Sequence, residues 1–184
     1  MRRICFDIAS NYFHSLMSGV ALNEPSEARE FFENRTFRFH AATAFDSKAR
    51  KYFHFTDSKK LFAFLLKADE IITYNGRICD FIVLEKMIGE RQMMGLWQKP
   101  HHDLICWRFV HKVTLKKASE ELLPNLFPKW DVAKEERLFD IKDRYQNEFI
   151  EGHLAETYRD VKFTYALFRL YEKSKETGNT FREG

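Results

Sequence analysis

Glycine and proline are scarce, at seven and four in 184 residues. A chain this poor in both is neither a disordered segment nor a low-complexity linker. Cysteine is rarer still. Cys5, Cys79 and Cys106 are odd in number, far apart, and each set in an apolar run. That argues against a disulfide framework and against the paired spacing of a zinc site. The three read as buried free thiols in a reducing, cytoplasmic compartment. No apolar stretch approaches the ~18 residues of a membrane span, so no membrane partner is expected. The opening MRRICFDIAS carries two arginines, but its apolar run breaks at Asp7. That is too short for a signal-peptide core of about 7–15 residues. An excess of one charge sign is missing as well. Thirty Lys and Arg face 27 Asp and Glu, leaving +3. Bulk charge therefore singles out no nucleic-acid binder, while leaving room for a local basic surface or an acidic site.

What is present suits one soluble domain. Apolar residues make up 45% and charged residues 31%, and nineteen Phe supply large core side chains. The domain is expected over residues 1–173, with a polar tail over 174–184 that frays.

Arg3–Ile8 reads as a short buried strand with Asp7 near its end, where an Asp is also an ordinary turn former. Glu24-Pro25-Ser26-Glu27 resembles a helix start, with Ala28, Phe31 and Phe32 as its apolar face. Asn11–Asn23 reads as loop or short helix. Thr36–Phe45 and Lys51–Phe55 form a hairpin pattern around the polar residues 46–50. Its His40 and His54 read as strand-surface residues rather than metal ligands. Asp57-Ser58 caps a helix to about Lys67, with Leu61, Phe62, Leu65 and Leu66 as the stripe. Glu70–Tyr74 is a second buried strand, ended by Asn75-Gly76. Cys79–Gly89 follows as a helix.

Residues 92–100 read as loop, and Asp103–Trp107 as a short strand or helix. Thr114 caps a helix over Leu115–Leu123, which Pro124 closes. Residues 125–140 read as irregular. A long last helix runs from about Arg144 to Lys173. This order implies an α/β fold with a mixed central sheet of about five strands and helices on both faces. The first strand lies between the hairpin and the Glu70–Tyr74 strand, parallel to the latter.

Three acids then share a geometry. Asp7 is near the carboxyl end of the central strand, Asp80 starts the helix after its neighbour, and Asp160 lies within the last helix. Ligand sites of open α/β sheets lie outside the carboxyl ends of the strands. If the last helix crosses that end, the carboxylates converge and repel unless a cation joins them. Oxygen-only donors favour Mg²⁺ or Mn²⁺. Two such ions can clamp the attacking and leaving oxygens of a phosphodiester displacement.

The residues around these acids resemble the DEDD 3′–5′ exonuclease family of the ribonuclease-H-like superfamily. Cys5-Phe6-Asp7-Ile8-Ala9-Ser10 is similar to its Phe-Asp-Ile-Glu-Ser/Thr strand. Thr73-Tyr74-Asn75-Gly76-Arg77-Ile78-Cys79-Asp80 resembles its TYNGxxFD segment and is the most specific of the three. Asp160-Val161-Lys162-Phe163-Thr164-Tyr165-Ala166-Leu167 is similar to its DVxxTxxL helix. Asp103-Leu104 with Thr114–Ala118 looks like its connector. The likeness spans about residues 3–172. It implies a ribonuclease-H-like sheet, Asp7, Asp80 and Asp160 as ligands of two Mg²⁺ or Mn²⁺ ions, and hydrolysis at a single-stranded nucleic-acid end.

Two departures stand out. The family's glutamate two residues past the first Asp is Ala9 here. Its base, a Tyr four or a His five residues before the last Asp, is replaced by Glu156 and Ala155. Helical periodicity puts Glu156 and His153 on the Asp160 face and turns Tyr158 away. Glu156 is thus a surrogate ligand or base, or a solvated glutamate; His153 reads as helix surface. Asn75 serves the turn or positions substrate. Arg77, beside the acids, is placed to hold a phosphate oxygen. Arg108, Lys112, Lys116 and Lys117, interleaved with Trp107 and Phe109, form either a phosphate-contacting run or a solvated surface. Lys162, Arg169 and Lys173 make a weaker second group. Two functions follow: a metal-dependent 3′–5′ exonuclease, or a catalytically inactive pseudo-exonuclease that binds nucleic acid or a protein partner.

Overall fold

The structure, a computed structural model, describes residues 1–10, 25–32, 38–106, 113–145 and 147–177. Five strands form one mixed sheet: β1 (Arg3–Ser10), β2 (Phe39–Asp46), β3 (Lys51–Phe55), β4 (Glu70–Thr73) and β5 (His101–Asp103), in the order β3-β2-β1-β4-β5. β1, β2 and β3 pair antiparallel, and β1, β4 and β5 pair parallel. The expected mixed sheet, with the first strand between hairpin and second buried strand, is thus what the chain forms. The described helices are α1 (Pro25–Phe32), α2 (Ser58–Leu65), α3 (Asp80–Ile88), α4 (Glu90–Trp97), α5 (Leu115–Leu122), α6 (Trp130–Tyr145) and α7 (Glu148–Glu176). Among the described residues no helix is long and apolar enough to cross a membrane.

Alternation along β1 sends residues to two cores. Ile4, Phe6 and Ile8 pack with Leu61 and Leu65 of α2 and with Phe81, Ile82 and Leu84 of α3. Cys5 faces the other way, with Ile72 of β4, Ala118 of α5, and Val161, Leu167 and Phe168 of α7. Helices therefore cover both faces, as the sheet's two-sided burial requires. The Cys5 thiol reaches the Val161 carbonyl at 3.7 Å, and Thr43 of β2 bonds the Thr157 hydroxyl at 2.8 Å. These contacts lay α7 across β1 and β2.

Asp57 caps α2 through the Lys59 and Lys60 N–H groups, Thr114 caps α5, and Asn147 caps α7. Two segments depart from the sequence reading. Residues 92–100, read as loop, mostly belong to α4, whose Met93 and Leu96 are fully buried. Only two of its eight residues are buried, with Trp97 packing against the core at its end, so the apolar signal is thin. Gly89, at φ 101°, turns the chain between α3 and α4 in a conformation other residues resist. Residues 125–140, read as irregular, hold a 3₁₀ turn (Phe127–Lys129) and most of α6. Pro128 sits in that turn, and Trp130, Ala133 and Ile141 are buried residues of α6. The reading of Asp103–Trp107 resolves into the end of β5 and a 3₁₀ turn over Leu104–Cys106. Asn11–Asn23, the hairpin's Thr36 and Phe37, the Trp107–Lys112 part of the basic run, the side chains of Phe31, Phe32 and Cys106, and the tail beyond 177 lie outside the described residues. Cys5 and Cys79 are buried free thiols.

Candidate active site

A cleft of about 200 Å³ opens at the carboxyl ends of β1 and β4. Its lining comes from three places. The end of β1 supplies Asp7, Ile8, Ala9 and Ser10, and the turn into α3 supplies Tyr74, Asn75, Cys79 and Asp80. α7 supplies His153, Glu156, Thr157 and Asp160, which repeat at the spacing of one helical face. Five of the six expected site residues, Asp7, Asn75, Asp80, Glu156 and Asp160, therefore share this cleft. Arg77 is exposed and is not among the lining residues.

The turn that delivers Asp80 is built by a residue that the sequence reading placed in the connector resemblance without a role at the site. Asp103, at the end of β5, accepts the Asn75 N–H at 2.6 Å and the Arg77 N–H at 2.8 Å. Those bonds hold Asn75 in the left-handed region at φ 64°, which asparagine tolerates better than most residues. Gly76 is required next to it. A Cβ there would lie 2.4 Å from the Thr73 side chain. Asp103 could have been found from the sequence only by asking what pairs with the N–H groups of the Asn-Gly turn.

Asp80 is 4% exposed, and one of its oxygens accepts the Ile8 N–H at 3.0 Å. Burial pushes its carboxyl up to about 8, against the Ile8 bond, and Asp103 and Asp160 add repulsion. Asp7 retains some open surface, yet is deeply recessed. Burial raises it well above the carboxylate range, repulsion from Asp80, Asp160 and Glu156 adds to this, and Arg159 opposes it. Such shifts concentrate at functional sites.

The acids on α7 have partners. Asp160 receives the Arg159 guanidinium at 2.8 Å. Glu156 receives the Lys134 ammonium of α6 at 2.9 Å, and His153 Nδ1 stands 3.7 Å from its other oxygen. Burial alone would raise Glu156. Lys134, His153 and Arg159 together bring it below the usual range. Among the described residues, two buried polar atoms of the lining lack any partner: the Ser10 hydroxyl and the Asn75 side-chain oxygen.

Does this set fit the divalent ions that the resemblance implies? Asp7 and Asp80 do: burial raises both carboxyls, Asp80 adds repulsion on Asp7, and a dication between them would remove that penalty. A pair of ions fits less well. Position 9 is alanine, Asp160 is engaged by Arg159, and three carboxylates under-neutralise two dications. Among the described residues no three His, Cys, Asp or Glu side chains gather closely enough to hold a metal ion.

No family model matches the chain, and no curated protein matches it in sequence. Among solved structures, the family B DNA polymerase from the hyperthermophilic archaeon Pyrobaculum calidifontis is similar in fold. The TM-score is 0.51 at 14% identity, with 95% of this chain and 24% of that chain covered. The chain thus spans about a quarter of that polymerase's length, and the likeness shows the fold: an α/β mixed sheet of five strands compatible with the ribonuclease-H-like architecture.

Proposed function

We propose that this protein binds the 3′ end of single-stranded nucleic acid in the cleft and removes nucleotides from it as a Mg²⁺- or Mn²⁺-dependent 3′–5′ exonuclease. The observation that carries this reading is the meeting of Asp7 and the buried Asp80 at one cleft, both raised. Carboxyls raised in this way are costly to ionise, and a dication between them offsets that cost. The fold neighbour is a DNA polymerase, which supports nucleic acid as the ligand class.

Asp7 and Asp80 would hold the cation, with Asp160 joining on release of Arg159. When bound, the cation supplies Lewis-acid charge at the phosphodiester oxygens. The other roles belong to the chain. The unpartnered Asn75 oxygen accepts a hydrogen bond from the terminal nucleotide. Arg77 reaches a phosphate oxygen from the rim. Glu156, at the base position of the resemblance, takes the proton of the attacking water at its oxygen away from Lys134. Its lowered pKa makes it a weak base, which predicts slow turnover.

A second reading is favoured by specific observations. Ala9, the Arg159–Asp160 pair and the Lys134–Glu156 pair describe a site with its charges answered from within. In that reading the protein is a pseudo-exonuclease that binds nucleic acid without hydrolysing it, or binds a protein partner. One assay separates the two. End-labelled single-stranded DNA and RNA are incubated with protein in Mn²⁺ and in chelator. Metal-dependent shortening that disappears in both Asp7→Asn and Asp80→Asn supports the exonuclease. Salt-sensitive binding without shortening establishes the pseudo-exonuclease instead. Neither binding nor shortening removes both nucleic-acid readings.

A further inference from the structure

Phe149, in the first turn of α7, is 58% exposed. Its ring is nonetheless held in place. It meets the edge of His153, one turn along, at 4.5 Å and 88°, and His40 of β2 at 4.8 Å and 88°. The two imidazoles stack on each other at 5.1 Å and 5°. His153 also lines the cleft of Asp7 and Asp80. Three rings from two elements therefore form a tier that runs from the cleft wall to solvent, with the exposed Phe149 ring at its outer end.

A tier like this does little for the fold. Ile150, Leu154 and Ala155, the neighbouring apolar residues of α7, pack with Ala41 and Ile141 instead. Nor is it an anion clamp. Burial, then His153 and Arg38, lower the pKa of His40 and favour its neutral ring. Aromatic faces beside a charged cleft suit a ligand that is itself flat and aromatic along an anionic chain. A nucleobase has a π-face whatever its identity.

We infer that Phe149, His40 and His153 form a base-stacking platform that receives a nucleotide next to the cleft-bound end of single-stranded nucleic acid. This rests on the nucleic-acid reading above and adds a subsite to it. Stacking on aromatic rings is indifferent to sequence, so the platform grips any base. It also explains an exposed Phe at a position where an amphipathic helix would place a polar residue.

The test uses two 5′-fluorescein hexamers in chelator, one of deoxythymidine and one of abasic residues with the same phosphates. Fluorescence anisotropy reads affinity for the full chain and its variants. Wild type is expected to prefer the thymidine hexamer. Phe149→Ala and Phe149→Leu should weaken thymidine binding by about 5- to 150-fold, the range for one stacked base, and leave abasic binding unchanged. Phe149→Trp should retain thymidine binding. The exposed ring carries little of the fold's packing, and unchanged circular dichroism checks that the variants fold. Equal thymidine affinity in wild type and Phe149→Ala overturns the platform while leaving the nucleic-acid reading intact. So does a wild-type dimer, seen by sedimentation, that dissociates in Phe149→Ala without any change in hexamer affinity. Absence of wild-type binding to either hexamer overturns both.

Discussion

Asp80 accepts the backbone N–H of Ile8 at 3.0 Å, which ties the first residue of α3 to the strand that carries Asp7. The bond fixes one carboxylate beside the strand that carries the other, and burial raises both, with Asp80 adding repulsion on Asp7 and Asp103 and Asp160 adding it on Asp80.

Replacing Asp80 by Asn keeps an oxygen for the Ile8 N–H and removes the buried charge. The folded Asp80 carboxyl sits near 8, above the ordinary 3.8. The stability it contributes is therefore full below about pH 3.8 and is lost as pH rises through about 8. In chelator at pH 8.5, Asp80→Asn is expected to melt higher than wild type, by about 2–4 °C for each kcal/mol of burial and repulsion penalty relieved. Mn²⁺ should raise the wild-type melting temperature and leave the variant's unchanged. Thermal melts at pH 5 and 8.5, with and without Mn²⁺, check this. A wild-type melting temperature indifferent to both pH and Mn²⁺ would count against a cation at Asp7 and Asp80.

The ion pair between Lys134 and Glu156 crosses from α6 to α7 and holds the Glu156 carboxyl low. Lys134→Gln removes the hydrogen-bonded cation, so the Glu156 pKa should move up. If Glu156 is the base, the acid limb of the kcat–pH profile shifts to higher pH in Lys134→Gln, and the plateau rate increases, because a stronger base assists more. Both side chains are over a third exposed, so stability should change by less than about 1 kcal/mol. A profile that does not move would remove Glu156 from proton transfer.

Much of this arrangement was legible in the sequence. The short apolar runs of β1 and β4 read as buried strands, and TYNGxxxD puts an acid at the start of a helix, so Asp7, Asn75 and Asp80 fall at one end of the sheet on residue pattern alone. Glu156 and Asp160 followed from helical spacing. Other features were not legible, for physical reasons. α4 buries only Met93 and Leu96, with Trp97 half-buried at its end, and α6 hides Ala133, whose small side chain leaves no periodic mark. Asp103 works through backbone N–H groups of a turn some 26 residues upstream, a long-range pairing that local pattern does not encode. Arg77 is the reverse case. Asn75 and Cys79 on either side of it line the cleft, yet its own N–H is turned to Asp103 on β5 and its side chain is exposed.

His101, on β5, is a second pH-sensitive point outside the cleft. Its Nε2 bonds the Thr73 hydroxyl at 2.8 Å, and its ring stacks on Phe81 at 4.6 Å. Burial first, then Arg77 and His102, lower its pKa from 6.5 to about 3. A lowered histidine makes the native state bind fewer protons than the unfolded chain between those values, so stability falls as pH drops below 6.5. The loss is at most about 1.4 kcal/mol per pH unit. His101→Gln retains a partner for Thr73 and should flatten the urea midpoint between pH 6.5 and 5. An unchanged slope would show that other groups set the acid limb.

Ala9 lies two residues beyond Asp7 on β1, lines the cleft, and pairs across the sheet with the fully buried Ala41. Residues two apart on a strand face the same side, so a glutamate at position 9 would enter beside Asp7. In chelator Ala9→Glu adds one more negative charge to an acidic cleft and should lower the melting temperature. In Mn²⁺ the same charge becomes a ligand, and an ion present at about 100 times its dissociation constant adds about 2.7 kcal/mol. The Mn²⁺-dependent melting shift should thus exceed that of wild type, and end-labelled single strands should shorten faster. Ala9→Gln is the control, since it adds the same bulk without the charge. A larger metal shift in Ala9→Glu and none in Ala9→Gln assigns the effect to charge and identifies position 9 as the missing ligand. Equal destabilisation of both variants, with and without Mn²⁺, assigns it to crowding against Ala41 and leaves the cation to Asp7 and Asp80 alone.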